Sequence, residues 1–256
     1  YSERDAEGGF YYRNPHNRSN VFSIDGGETL LVGDVAHAMG AERTCAVVPA
    51  NVPNVLDTAE YQAMVADPNC FAMNQIMPGG YTPRFGGNIT DTSLVIGTKG
   101  EAKSGFLEGW YYDLSGSVGR SASTFILKNT LNPSLGLDTP VDFETGGYTQ
   151  LEKSFNFDIV KEVEAGFDQP LNVAFGTEWR EESFEITAGE ESSWKAGPYA
   201  SQGFNIGSHG FKGFGPEAQG INTRRSIALS ADLEAQVNDD LLLGGALRYE
   251  DFTSFG

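Results

Sequence analysis

No apolar run in the 256-residue sequence approaches the roughly 18 residues of a membrane-spanning helix. The best, Leu241-Leu242-Leu243-Gly244-Gly245-Ala246-Leu247, is far too short. A transmembrane helix is excluded, but a transmembrane β-barrel is not, because its signal per strand is weak. Basic residues are scarce: 17 Lys and Arg stand against 35 Asp and Glu, a formal charge of −18. Nucleic acid, whose phosphates demand a Lys/Arg footprint, is therefore not an expected partner. Cysteine is limited to Cys45 and Cys70, without the close Cys/His spacing of a zinc site. Histidine is limited to His16, His37 and His209, isolated in loops and read as surface residues.

Catalytic signatures are missing as well. The sequence has no Gly-x-x-x-x-Gly-Lys phosphate loop, no Gly-x-Ser-x-Gly elbow and no His-Glu-x-x-His. Glu178, Glu181, Glu182 and Glu185 would suit a glycosidase carboxylate pair. The favoured reading instead has Glu178 and Glu182 facing water beside Arg180. Acidic residues in the loops lack EF-hand-like spacing for calcium. The expectation is a protein that is not an enzyme, with no cofactor and no metal.

Glycine, in contrast, is abundant at 32 residues, and aromatics reach 12% while charged residues stay at 20%. That balance argues against a disordered acidic chain or a coiled coil, and the length allows one to two domains. Periodicity then decides the class. Ile227, Leu229, Ala231, Leu233, Ala235 and Val237 alternate with Ser226, Ala228, Ser230, Asp232, Glu234 and Gln236. After a turn at Asn238-Asp239-Asp240, Leu241, Leu243, Gly245, Leu247 and Tyr249 resume the apolar face. This is a long hairpin with one apolar side. A second hairpin joins Phe155, Phe157, Ile159 and Val163, across a 165–170 turn, to Leu171, Val173, Phe175 and Trp179. A third pairs Leu94, Ile96 and Thr98 with Trp110, Tyr112, Leu114 and Val118 around Ser104-Gly105.

Connection lengths sort by end. Short turns alternate with long loops at about 124–147 and 188–223, and a longer stretch, 14–88, precedes the first hairpin. Soluble sandwiches have no reason to sort loops in this way, whereas outer-membrane barrels do. Trp179 and Tyr249 each lie eight residues beyond Leu171 and Leu241 on the same face. At ~3.3 Å per residue and ~40° tilt the levels are about 20 Å apart, near the height of a barrel's apolar band. In the first loop, Asp57 as N-cap and Glu60 three residues on predict a helix over Tyr61–Ala66, ended by Pro68. Cys45 and Cys70, in a polar, Pro-containing stretch, favour a disulfide in an oxidising compartment, two free thiols being the alternative. The chain has no initiator Met or signal segment and stops at Phe252-Thr253-Ser254-Phe255-Gly256, which reads as an internal piece of a longer protein.

Gly9-Phe10-Tyr11-Tyr12-Arg13-Asn14-Pro15, Gly80-Tyr81-Thr82-Pro83, Trp110 to Ser115, Asn129 to Gly136, Leu171 to Arg180 and Leu241 to Phe252 resemble the barrel of a TonB-dependent outer-membrane receptor. The resemblance covers nearly the whole chain. It implies a 22-stranded barrel of which about eight strands are here, with a plug and TonB box outside this sequence. The expected fold is thus all-β, an antiparallel transmembrane β-barrel segment over 1–256, with 14–88 a long extracellular loop and 89–256 successive hairpins. The expected location is the outer membrane of a Gram-negative bacterium. The expected partners are outer-membrane lipid, the TonB complex and a scarce nutrient: a ferric siderophore first, then an oligosaccharide or cobalamin-like ligand. Leu171, Val173, Phe175, Trp179, Ile227, Leu229, Leu233, Leu243, Leu247 and Tyr249 are expected to face lipid. Among the Tyr-, Trp- and Gly-rich loops, Tyr81, Arg84, Phe85, Trp194 and Tyr199 are the candidate ligand contacts. A passive porin and a soluble β-rich carbohydrate-binding module are the rival readings.

Overall fold

The computed structural model describes residues 1–167 and 169–254. Its dominant feature is one seven-stranded sheet in which every neighbouring pair is antiparallel. The strands are β1 (Ser2–Gly9), β4 (Arg84–Glu101), β5 (Tyr111–Lys128), β6 (Phe143–Val163), β7 (Leu171–Ala188), β8 (Gly220–Asn238) and β9 (Leu241–Phe252), in that spatial order. A separate ribbon pairs β2 (Gly33–Asp34) with β3 (Cys70–Phe71). Among the described residues, no helix is long and apolar enough to cross a membrane.

The three hairpins stand where the alternation placed them, and the strands exceed the alternating segments. β5 continues to Lys128, β6 starts at Phe143 and β7 reaches Ala188. The long loops are therefore 10–83, 129–142 and 189–219, shorter than expected from the pattern. The physical reason is that near these loops large apolar residues stand on both faces, as in Phe125-Ile126-Leu127, so the alternation is lost. β4 likewise opens at Arg84 because β1 supplies its hydrogen-bonding partner, Gly9 opposite Arg84. The turn after β8 is Asp239-Asp240 alone, since Asn238 still pairs with Leu241. Asp168 of the 165–170 turn, like Phe255 and Gly256 of the terminal segment, lies outside the described residues.

Register carries one parity across six strands. Ile96, Gly116, Phe155, Trp179 and Ile227 form one rung. Tyr112, Ile159, Phe175, Ala231 and Leu247 form another on the same face. The opposite face carries Ser117, Ser154, Arg180 and Ser226 on a single rung. The apolar face is bare: Leu229 is 57% exposed and Leu247 75%. The largest buried side chains, Phe22, Phe143, Met73, Leu127 and Leu131, lie instead in the loops or at the adjoining strand ends.

The three long loops fold into one cap. Leu30, Val32, Val48, Val55, Tyr61, Met64 and Cys70 make a core within 10–83. A second core, Val21, Phe22, Leu31, Phe71, Met73 and Tyr81, takes in Leu131 and Phe204 from the other two loops. The helix over Ala59–Ala66 turns Tyr61 and Met64 into the first core. Its N-cap is Thr58, whose Oγ1 accepts from the Tyr61 N–H at 3.2 Å. Asp57, the expected cap, sits one residue too early, in a 3-10 turn over Val55–Asp57, and meets the Asn54 amide.

Asp34 ties this part of the cap together. It is fully buried and accepts from the backbone N–H groups of His37 (2.8 Å), Thr44 (2.7 Å) and Cys45 (3.1 Å) and from the Asn69 amide (2.9 Å). Burial alone would raise its carboxyl, but these donors outweigh it and hold the group well below the usual range. Beside it, Cys45 and Cys70 are joined as a disulfide with Cα atoms 5.7 Å apart. Non-reducing peptide mapping should recover them as one linked pair. Since the bond spans 25 residues, reduction should destabilise the cap by about 3–4 kcal/mol in the chain-entropy model. Equal stability of reduced and oxidised protein in chemical denaturation would overturn that expectation.

Candidate functional site

The polar face of the sheet and the cap above it form the candidate binding region. Near the short-turn end the polar face holds a hollow of about 460 Å³ lined by Lys99, Tyr111, Asp113, Asp158, Val160 and Asp232, among others. Higher on the same face, strand residues Phe85, Phe125, Tyr148 and Phe184 project toward the cap. Phe211 and Phe214 of the 189–219 loop pack onto them, with ring centres 4.8 Å apart for Phe85–Phe211 and 5.1 Å for Tyr148–Phe214. Phe10 extends the stack at 6.1 Å from Phe85. The loops therefore bend over the polar face and leave the apolar face uncovered.

The acidic cluster resolves into ion pairs. Glu178 receives Arg180 at 2.8 Å and Arg248 at 3.5 Å, and Glu182 receives Arg224 at 2.5 Å. Glu181, on the apolar-face side, receives Lys153 at 2.9 Å and Arg225 at 2.7 Å. Among the described residues no group of three or more His, Cys, Asp or Glu is placed to hold a metal ion.

The five candidate ligand residues do not form one cluster. Tyr81 is 3% exposed and belongs to the second core. Arg84 is exposed and pairs with Glu7 at 2.6 Å. Phe85 is in the aromatic stack. Trp194 donates Nε1–H to the Gly189 carbonyl at 3.1 Å, and Tyr199 packs edge-on against Phe71 with ring centres 4.6 Å apart. Of these five only Tyr81 joins the polar groups that face one another in the cap, beside Arg13, Arg18, Thr130 and His209.

His209 is buried, contrary to the surface reading. Its Nε2 accepts from Arg18 Nε and Nη2, both at 3.2 Å. The ring proton is thus assigned to Nδ1, which donates to the Tyr81 hydroxyl at 2.7 Å. The His209 carbonyl accepts from Thr130 Oγ1 at 2.5 Å. Of the other two histidines, His37 is exposed and His16 half-buried, so the surface expectation fails only at His209. The sequence signal was weak, because the partners both lie in the 10–83 loop, 128 and 191 positions away.

Comparison with protein-family models, with curated proteins and with solved structures gives no match to this chain.

Burial, reinforced by Arg18 and Arg13, lowers His209 to about 3. An unfolded histidine titrates near 6.5. The unfolded chain therefore binds the extra proton, and the His209 contribution is complete above about pH 6.5 and fades as pH falls toward 3. The slope is about 1.4 kcal/mol per pH unit. Unfolding measured at pH 7.5 and 5.0 should show a loss of about 2 kcal/mol in the native chain. His209→Gln should remove most of that pH dependence. An unchanged slope in the variant would trace it to another group.

Proposed function

We propose that this chain is part of the β-barrel of an outer-membrane receptor that takes up a scarce nutrient, of the TonB-dependent class, with a ferric siderophore the first candidate ligand. One observation carries the reading: the apolar face of a seven-stranded antiparallel sheet is left bare, while three long loops gather at one end and three short turns at the other. A barrel in a bilayer needs an apolar outside, a polar inside and sorted connections. A soluble carbohydrate-binding module would instead bury that face against another layer. A porin shares these features, and differs by having no plug.

The edge of the apolar face also supports the reading. Toward the loops its apolar rungs reach Leu94 and Val118 on β4 and β5 and Phe155, Trp179 and Ile227 on β6, β7 and β8. The next residues outward on β6, β7 and β8 are Lys153, Glu181 and Arg225, adjacent in register and joined by ion pairs. Eight residues of β7 separate Trp179 from Leu171, about 20 Å of height at ~40° tilt, close to the ~25 Å apolar band of such barrels. Leu171, Val173, Phe175, Trp179, Ile227, Leu229, Leu233, Leu243, Leu247 and Tyr249 would then meet lipid. Their neighbours Ser226, Ala228, Ser230 and Asp232 would face the lumen, and the cap would stand outside the cell above it. The TonB complex and a plug would act through parts of the protein beyond this sequence.

Nitroxide labels test the membrane half. At 227, 229, 231 and 233 they should be open to lipid-dissolved oxygen and shielded from a water-soluble relaxant, with the reverse at 228, 230 and 232. Leu229→Arg should weaken assembly in lipid by roughly 2–4 kcal/mol, and Ser230→Arg by far less. Two label series that behave alike would defeat the barrel reading. The transport half is read from cells: deletion of the gene should slow growth on ferric siderophore as sole iron source, and normal growth would send the ligand assignment elsewhere.

A further inference from the structure

Two arginines of the cap stand together without a carboxylate. Arg13 is 3% exposed, and its Nε and Nη1 are buried with no hydrogen-bond partner. Its guanidinium carbon lies 3.6 Å from the centre of the Tyr11 ring, and that of Arg18 lies 5.4 Å from the same centre. Neither arginine forms an ion pair among the described residues. Arg18 donates to His209, whose burial beside the two guanidiniums keeps the imidazole uncharged, and both arginines also reach the Tyr11 hydroxyl.

The arrangement is held by the cap's backbone. Arg13 N–H donates to the Tyr81 carbonyl at 2.7 Å, and Tyr81 N–H returns a bond to Arg13 at 3.2 Å. Gly80 next to this bridge has a φ of +71°, and a Cβ there would run into the Arg13 carbonyl. Arg13 is thus a fixed group and not a free surface chain. Tyr11, in contrast, is 64% exposed, so its ring can swing aside without disturbing either core.

A guanidinium does not lose its proton in a protein. The pair therefore keeps two positive charges in a partly dry setting, and among the described residues no carboxylate forms an ion pair with either. A buried charge without a partner is costly and calls for an external anion. The local field already acts on Tyr11: desolvation would raise its phenol, but Arg13 and Arg18 outweigh that and lower it. We propose that Arg13 and Arg18, covered by Tyr11, form a binding site for a small oxyanion, the carboxylate or phosphate group of a soluble solute. The site rests on the cap alone, so it stands or falls separately from the membrane reading.

Calorimetric titration of the folded chain at low ionic strength, with citrate and separately with inorganic phosphate, tests it. At least one should bind saturably with unit stoichiometry. Binding should weaken tenfold or more in Arg18→Gln, a half-buried position, and survive in Tyr11→Ala. A wild-type measurement guards against a variant that fails to fold: the bound anion should raise the ionisation midpoint of the Tyr11 phenol, isolated by difference against Tyr11→Phe. Absence of binding by both anions, binding unchanged in a folded Arg18→Gln, or a Tyr11 midpoint that does not move with the anion would overturn the site.

Discussion

Register between long antiparallel strands is the constraint on which the structure depends. Side chains alternate with period two, so a slip of one residue at any interface would turn that strand's polar set onto the apolar face. At β7–β8 such a slip would exchange Ile227, Leu229 and Leu233 for Ala228, Ser230 and Asp232. Irregularities in pairing do occur, between Phe125 and Ile126 and between Gln236 and Asn238. Both lie at strand ends, outside the rungs that carry most of the apolar residues. Parity is thereby conserved from Leu94 on β4 to Leu247 on β9, and one continuous apolar face results.

A second consequence concerns the loops. Their backbone cannot join the ladder, so its polar groups need other partners. Asp34 meets three N–H groups at once. Asn132 gathers the Ser192 and Lys195 carbonyls and the Gly207 N–H. These bonds allow the 129–142 and 189–219 loops to bury Leu131 and Phe204 against residues of the first loop. The aromatic stack on β4, β5, β6 and β7 then fastens the cap to the sheet on one face only. Closure of the cap and exposure of the apolar face are two results of the same facing rule.

How much of this was legible in the sequence differed by element, for physical reasons. Strands with one wet and one apolar side announced themselves, as Leu171 to Trp179 and Ile227 to Val237 did. β1, Ser-Glu-Arg-Asp-Ala-Glu-Gly-Gly, has exposed residues throughout and therefore no pattern to read. The strand ends near the cap were missed for the opposite reason, since Phe125-Ile126-Leu127 puts apolar side chains on both faces and hides the alternation. The Cys45–Cys70 bond was legible from composition and formed as expected. Burial in the cap was not legible, because polar loop composition does not reveal that Tyr81 will meet His209 from 128 positions away. The helix was placed correctly and its cap missed by one residue, since Asp57 and Thr58 are both good capping residues and tertiary packing chose between them.

Arginine marks the contrast between the two halves of the molecule. On the strands Arg224 and Arg225 each meet a glutamate across a rung, Arg180 meets Glu178 of its own strand and Arg248 reaches Glu178, and half-exposed pairs of that kind contribute little individually. What they accomplish is local neutrality along a sheet whose chain is strongly acidic. The cap reverses the rule: Arg13 and Arg18 are drawn inward by backbone bridges and by His209, away from carboxylates that abound elsewhere. Folding alone gives no reason for that difference, because an apolar residue at position 13 would fill the space without a desolvation cost. The unbalanced charge is therefore better explained by what the cap must meet than by what holds it together.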